Sequence, residues 1–134
     1  MATGWTGEVG RKSRELISKY DIKTNDAQNP VSSLSGGNQQ KLVVGRELDR
    51  NPKILFAVHP TRGVDIGATK FIHEQILHAR DEGCAVVLIS TELDEILELS
   101  DRIGVIYEGK ILGEMDSDHI DMNRIGLLMA GKKA

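Results

Sequence analysis

The segment best suited to chemistry is Leu34–Lys41, "LSGGNQQK", in which a serine and two glycines precede a run with helical spacing. Ser35 is a good helix N-cap, and Gly36 and Gly37 place no side chain over the backbone N–H groups of the first turn. Such a helix start attracts phosphate, because unpaired N–H groups and the helix dipole both favour an anion. An ordinary capped helix has the same features, so Ser-Gly-Gly alone leaves both interpretations open.

A second candidate is His59, at the carboxyl end of the apolar run 53–58. An imidazole titrates near neutral pH and can act as a base, but only where metal and phosphates are held beside it. Val58 cannot bind Mg²⁺, so we favour a neutral His59 that forms hydrogen bonds in a polar loop. His73 and His78 lie about 140° apart around a helix, which does not suit a zinc pair. Both are expected to be solvated surface histidines.

Two segments resemble the phosphate-loop pattern G-x-x-x-x-G-K-[ST], but neither matches it fully. Gly104–Ile111 ends in isoleucine instead of a hydroxyl residue and predicts a hairpin around Glu108 and Gly109. Gly126–Lys133 is helical before its second glycine and ends in lysine. A phosphate loop must follow a strand and open a helix, so neither lysine is interpreted as a phosphate ligand, and no catalytic residue is predicted.

Hydrophobic spacing predicts the elements that position these residues. Helices are predicted over 8–20, from Ser35 to just before Pro52, and over 68–82, 92–100 and 121–130, and a hairpin over 102–115. The apolar runs 53–58 and 85–90 predict parallel strands covered on both faces. The inward residues expected in the first two helices are Val9, Leu16, Ile17, Tyr20, Leu42, Val43 and Leu48. A strand–helix–strand crossover makes the fold class α/β.

Composition sets further bounds on function. The chain has 134 residues, 40% of them hydrophobic, which suffices for one folded core. It carries 17 basic and 20 acidic residues without a long basic block, so nucleic-acid binding is not expected. Cys84 is the single cysteine and is predicted to be a small buried thiol. No apolar run reaches the roughly 20 residues of a membrane helix, so no direct membrane insertion is expected. Residues 1–8 are expected to be a tag or disordered.

Beyond the serine and glycines, the full octet "LSGGNQQK" resembles the signature motif of ATP-binding-cassette (ABC) proteins, and "NPKILFAVHPTRGVDIGA" resembles their Walker B strand and D-loop. The likeness continues through "VVLISTELDEILELSDRIGVIYEGKI" and covers about residues 8–130. The "GNQQK" ending and "PTRGVDIGA" look most like the second cassette of sugar and nucleoside importer ATPases. The resemblance implies a partial P-loop NTPase sheet with a signature helix and a C-terminal β-hairpin. It divides the chain into a helical-subdomain remnant at 9–50 and part of the α/β ATPase core at 51–134.

The resemblance also implies a nucleotide site shared between two cassettes. In that family each ATP lies between the Walker A face of one cassette and the signature helix of the other. The residues that would meet a partner's nucleotide are Ser35, Gly36, Gly37, Asn38 and Gln39. The first three would contact the γ-phosphate, and Asn38 would lie near the ribose. Asp65 matches the D-loop acid, so a contact between cassettes is expected there.

Three positions depart from the family pattern. Val58 stands where the family usually has an aspartate for the Mg²⁺ shell, and His59 stands where it has the glutamate that orients water. Thr91 occupies the place of the switch histidine. Degenerate second cassettes lose the same groups, so the departures favour that assignment and predict no ATP turnover by this chain alone. ATP and Mg²⁺ are expected as cofactors of a full-length ATPase, with neither bound to this chain alone.

The implied partners are a second ABC cassette and an integral-membrane permease, which would place the chain on the cytoplasmic face of the cell membrane. One alternative is the C-terminal lobe of a chromosome-maintenance or recombination ATPase, where Ser-Gly-Gly also meets ATP in trans. "PTRGVD" is transporter-like, and the chain lacks coiled-coil heptads and a basic face, which weighs against that alternative. A second alternative is a non-catalytic regulatory α/β domain that keeps the fold without ATP.

Overall fold

The computed structural model describes residues 7–132, which divide after Ile89 into two compact units. The boundary predicted at residue 50 stays a prediction. Of the segment expected to be a tag or disordered, residues 1–6 lie outside the described residues, and Glu8 is the first residue of the first helix.

The first unit consists of α1 (Glu8–Lys19), a 3₁₀ turn (Val31–Ser33), α2 (Gly36–Leu48), β1 (Ile54–Val58), α3 (Ile66–Asp81) and β2 (Ala85–Ile89). Strands β1 and β2 pair in parallel, with Ile54 opposite Ala85 and Val58 opposite Ile89. The strand–helix–strand prediction is therefore confirmed. Helix α3 begins earlier than predicted because the side chain of Asp65 caps it by accepting a hydrogen bond from the Ala68 N–H.

Two apolar clusters hold the first unit together. Tyr20, Ile22 and Leu48 join the end of α1 to α2. Ala57, Ile72 and Ile76 join β1 to α3. These clusters place the carboxyl end of β1 and the N-termini of α2 and α3 on one packed framework.

The prediction that both faces of the parallel strands are covered is wrong for one face. Ile54, Phe56 and Val58 are 59%, 67% and 56% exposed, whereas Ala57 between them is buried. Successive side chains of a strand point to opposite faces, and only the inner face packs against α2 and α3. Val87 and Ile89 of β2 continue the exposed apolar face.

Helix α2 buries part of the expected stripe, because Leu48 is buried and Leu42 packs against the Tyr20 cluster, as predicted. Val43, predicted to point inward, is exposed, and the buried residues are Gly37, Lys41, Gly45 and Leu48. A Cβ at Gly45 would lie 2.6 Å from the Tyr20 ring, so the two glycines mark the face that packs most closely. Hydrophobicity misses these two glycines because the closest contacts require small residues.

Four further expectations on exposure are decided by the structure. Val9 is exposed instead of inward, in the first turn of α1. His73 is buried, with 7% of its surface exposed, because it lies three residues before the core residue Ile76 and shares its helix face, so the prediction of a solvated His73 is wrong. His78 is exposed and Cys84 is buried, as predicted.

The second unit consists of α4 (Leu93–Leu99), β3 (Arg102–Tyr107), β4 (Lys110–Asp116), a 3₁₀ turn (Ser117–His119) and α5 (Met122–Met129). The predicted hairpin is confirmed, with an antiparallel β3–β4 pair. Its turn residues, Glu108 and Gly109, both have positive φ, which suits a tight hairpin turn. The core of this unit consists of Ile103, Val105, Met115, Ile125 and Leu128. Across residues 7–132, no helix has both the length and the apolar character needed to cross a membrane.

Candidate functional site

Helix α2 starts with the geometry expected of a capped helix. The Ser35 hydroxyl accepts a hydrogen bond from the Asn38 N–H at 3.4 Å and a shorter one from Asn38 Nδ2 at 2.9 Å. The side chain of Gln39 donates back to the Leu34 carbonyl at 2.9 Å. First-turn N–H groups have no partner inside their own helix, so the exposed Gly36 N–H can reach an anion, whereas Gly37 is buried.

Gly37 lies directly against the start of α3. A Cβ at residue 37 would be 2.8 Å from Asp65 Oδ2 and 2.9 Å from Ala68 Cβ. A Cβ at Gly36 would meet only the Gly63 carbonyl, at 3.8 Å. The structure therefore brings the Ser35–Gly37 segment and Asp65 together, and it requires glycine at residue 37 for the two helix starts to approach so closely.

The Asp65 carboxylate serves as the N-cap of α3. Its Oδ1 accepts the Ala68 N–H at 2.9 Å. That hydrogen bond is the main reason why the pKa of Asp65 lies below its ordinary value, with smaller contributions from the Gly67 N–H and the positive charge of Lys41. Asp65 is therefore ionised at neutral pH, and its negative charge caps the N-terminus of α3 beside Gly37.

Lys41 is a buried cation that sequence reasoning did not single out. Its Nζ donates to the Asp21 carboxylate at 2.9 Å and to the Asp21 carbonyl at 3.1 Å, and it lies 4.5 Å from the centre of the Phe71 ring. The hydrogen bond from Lys41 is also the main cause that lowers the pKa of Asp21. A signal was present in the sequence, because Lys41 lies four residues from both Gly37 and Gly45 and so shares their helix face.

The turn that follows β1 is tied to α2. Gln40 Nε2 donates to the Pro60 carbonyl at 2.7 Å, a contact that sequence reasoning also missed. His59 has a φ of 46°, a left-handed conformation that non-glycine residues seldom adopt. Its N–H donates to the Ile89 carbonyl at 2.8 Å, and its carbonyl accepts the Arg62 N–H. The backbone of His59 thus forms the hydrogen-bonded turn that links β1 to the segment before α3.

Comparisons with known proteins identify this arrangement. The guanosine import ATP-binding protein NupO of Bacillus subtilis is 50% identical over 125 residues, which cover 93% of this chain and 24% of NupO. The ribose import ATP-binding protein RbsA of Geobacillus kaustophilus is 44% identical over 118 residues, which cover 85% of this chain and 24% of RbsA. The chain belongs to the ABC ATPases. It spans about a quarter of the length of the curated relatives it matches.

A solved structure supports the same fold. The dimeric, post-hydrolysis form of the ATP-binding cassette MJ0796, bound to ADP and phosphate, matches this ABC chain with a TM-score of 0.71 at 24% identity. The match covers 90% of this chain and 52% of that one. No protein-family model matches the chain. At this identity the solved structure establishes the α/β ABC cassette fold alone.

The end of β1 in this ABC chain does not fit a Mg²⁺ ion. Residues 58 and 59 provide an apolar side chain and an imidazole, whereas Mg²⁺ prefers oxygen ligands such as carboxylates. Asp65 already accepts the Ala68 N–H. Within residues 7–132, no three side chains of His, Cys, Asp or Glu are grouped to hold a metal. The residues at the end of β1 therefore do not fit the metal, and no metal-dependent step follows from them.

Thr91 lies in the second unit, between β2 and α4, and is exposed. Beside it, the Glu92 N–H donates to the Ser90 hydroxyl at 3.0 Å, which shapes the entry to α4. Thr91 provides a hydroxyl where the family pattern has an imidazole, and a hydroxyl does not titrate near neutral pH.

Proposed function

We propose that this chain is part of the ATP-binding subunit of an ABC importer for sugars or nucleosides. The support comes from the relatives, which are named for guanosine import and ribose import and match nearly the whole chain. In this proposal the complete protein uses ATP and Mg²⁺, pairs with a second cassette, and acts with a membrane permease at the cytoplasmic face of the cell membrane.

Within that subunit, the start of α2 provides the phosphate contact to an ATP held by the partner cassette. The observation that carries this role is the glycine first turn of α2, exposed at Ser35 and Gly36 and held in place by the contact of Gly37 with Asp65. The Ser35–Gly37 segment meets the γ-phosphate, with Asn38 and Gln39 beside the nucleotide. Asp65 forms the contact between cassettes.

The chain has no ATP turnover of its own in this proposal. Val58 and His59 lack the two acids of the family pattern, and Thr91 lacks the imidazole. Binding and closure of two cassettes around ATP would then move the permease, while this chain contributes the phosphate-binding helix start.

Titration of ATP into the ¹⁵N-labelled chain tests the phosphate role. Binding should be weak, because a helix N-terminus contributes only about 0.3–1 kcal/mol at an exposed site. The amides of Ser35–Asn38 should shift first. Saturation at micromolar ATP, with shifts elsewhere, would contradict the role in trans.

A hydrolysis assay tests the absence of turnover. Phosphate release by the chain should equal a blank without protein. Release above the blank that disappears in His59→Ala would instead make His59 a catalytic base.

A further inference from the structure

The side-chain amide of Asn38 bridges two groups at the start of α2. Its Oδ1 accepts the backbone N–H of Lys23 at 2.9 Å, and its Nδ2 donates to the Ser35 hydroxyl at 2.9 Å. Both distances are typical of good hydrogen bonds. The amide therefore connects the segment after α1 to the serine of the phosphate-binding turn.

The direction of this bridge follows from the chemistry of its ends. A backbone N–H can only donate, so the amide atom that faces Lys23 must be the oxygen. The nitrogen then faces Ser35, and the Ser35 oxygen must act as an acceptor. The orientation of an asparagine amide is assigned from its hydrogen-bond partners, and here Lys23 fixes it.

The Lys23 N–H is itself held in place. Asp21 is bound by the buried Lys41, through both its carboxylate and its carbonyl. Ile22 is 5% exposed and belongs to the cluster around Tyr20. The segment 21–23 is thus packed onto α2 at two points, so the Asn38 amide is oriented before any ligand arrives.

The consequence concerns the Ser35 proton. A serine hydroxyl has one proton to donate and two lone pairs that accept. The Ser35 oxygen accepts from Asn38 Nδ2 and, at longer range, from the Asn38 N–H. Its proton is therefore left to point away from Asn38, toward solvent at the N-terminus of α2, where a phosphate oxygen can only accept.

We infer that Asn38 is a positioning residue that makes the Ser35 hydroxyl a hydrogen-bond donor to phosphate. This role rests on the proposed function, because it requires phosphate to bind at the start of α2. It differs from the ribose contact suggested for Asn38 by the family resemblance, since it acts through Ser35 and needs no sugar.

A double-mutant cycle with inorganic phosphate tests the role. Phosphate is titrated into the ¹⁵N-labelled chain at constant ionic strength, and the Gly36 and Gly37 amides report the affinity. Ser35→Ala and Asn38→Ala should each weaken binding by up to about tenfold, the value of one hydrogen bond. The double variant should bind no more weakly than Ser35→Ala, because coupled groups are not additive.

Asn38→Asp gives a second, isosteric test in case Asn38→Ala fails to fold. The carboxylate keeps the bond to Lys23 but presents an acceptor to Ser35, which draws the hydroxyl proton inward. Its added charge repels phosphate equally with or without the hydroxyl. The loss of affinity should therefore be larger with Ser35 present than in the Ser35→Ala background.

The outcomes separate the role from the proposed function. If wild type binds phosphate at Gly36 and Gly37 but the Ser35 and Asn38 effects simply add, the positioning role is wrong and the phosphate site stands. If Asn38→Ala leaves phosphate affinity unchanged, Asn38 does not act on phosphate through Ser35, and the positioning role is also wrong. If wild type shows no phosphate shifts at this turn, the positioning role fails, whereas the proposed function, in which a partner cassette holds the nucleotide, is tested separately by the ATP titration.

Discussion

Gly37 shows how a single hydrogen in place of a methyl group decides the shape of the site. Its missing Cβ allows the first turn of α2 to touch Asp65 and Ala68. At Gly36, one residue earlier, an added Cβ would meet no atom closer than 3.8 Å. The two neighbouring glycines therefore differ physically, because close packing requires glycine at residue 37, whereas residue 36 has room for a side chain.

Matched alanine substitutions should separate these roles. We expect Gly37→Ala to lower the free energy of unfolding by about 1–3 kcal/mol, because the added methyl group overpacks the helix contact. Gly36→Ala should be neutral or stabilising by up to about 1 kcal/mol, since alanine favours helix and has room there. Urea unfolding followed by circular dichroism measures both. Equal effects at the two positions would show that the close approach of α2 and α3 is not real.

The lowered pKa of Asp65 predicts that the stability of the fold decreases in acid. Because its pKa is lowered in the folded chain, it contributes stability above the ordinary carboxyl pKa of 3.8, and this contribution is lost as the pH falls through the lower folded value. Asp65→Asn should therefore reduce the loss of stability on acidification below about pH 4. Urea midpoints between pH 5 and pH 2.5 measure this, with the exposed Asp118→Asn as the control. An unchanged acid dependence in Asp65→Asn would contradict the N-cap bond.

At the scale of elements, Lys41 joins three pieces of chain. It lies on α2, binds the segment that follows α1 through Asp21, and faces the Phe71 ring of α3. A buried cation with two oxygen partners and an aromatic face restrains α2 in rotation as well as in distance. This restraint keeps the glycine turn of α2 beside the start of α3.

Lys41→Met should weaken this junction. Methionine keeps the apolar stem but loses the bond to the Asp21 carbonyl, so we expect a destabilisation of about 1 kcal/mol. Lys12→Met, which removes a half-exposed lysine that also pairs with an aspartate, is the control and should cost less. Urea unfolding measures stability, and the ¹⁵N spectrum should show shifts at Asn38 and Phe71 in the Lys41 variant only. Equal losses of unfolding free energy in the two variants would contradict a greater contribution of Lys41 to stability.

At the scale of the whole molecule, the outer face of the β1–β2 sheet is an exposed apolar surface. Phe56 sits beside Val87, and Val58 beside Ile89, in the parallel register, and all four are exposed. Each sheet has two strands, so each strand has one edge without a strand partner among residues 7–132. Exposed apolar faces and open edges of this kind promote association.

Phe56→Lys should therefore reduce self-association of the chain. It should also bind less of an apolar dye, so the fluorescence of the added dye should rise less than with wild type. Val31→Lys changes another exposed valine, outside the strands, and should have little effect. Sedimentation velocity over a range of concentrations measures the association. A wild-type chain that stays monomeric and binds no dye would show that this face is covered in solution.

Hydrogen exchange tests the open edges directly. Only alternate amides of an edge strand point toward its partner, so every second amide of β2 should exchange rapidly while its neighbours are protected by β1. The same pattern is expected in β3, which pairs with β4. Uniform protection along either strand would mean that another chain segment covers its outer edge.

The sequence by itself determined the order and type of the elements. Helical spacing and apolar runs predict α1–α5 and the four strands close to their observed bounds, because local periodicity depends on which faces of each element are apolar. The Ser35 cap, the Glu108–Gly109 turn and the lack of acids at residues 58 and 59 are likewise local facts. The motif resemblance added the family, which the relatives support.

Only the tertiary structure decided which faces are covered and which polar groups meet. The outer face of β1 is exposed although its residues are apolar, and His73 and Lys41 are buried although they are polar. The contact of Gly37 with Asp65 and the bridge from Lys23 through Asn38 to Ser35 join residues from separate elements. A one-dimensional pattern records the polarity of each residue but not its neighbours in space. Burial and hydrogen-bond partners therefore emerge only when helices and strands pack together.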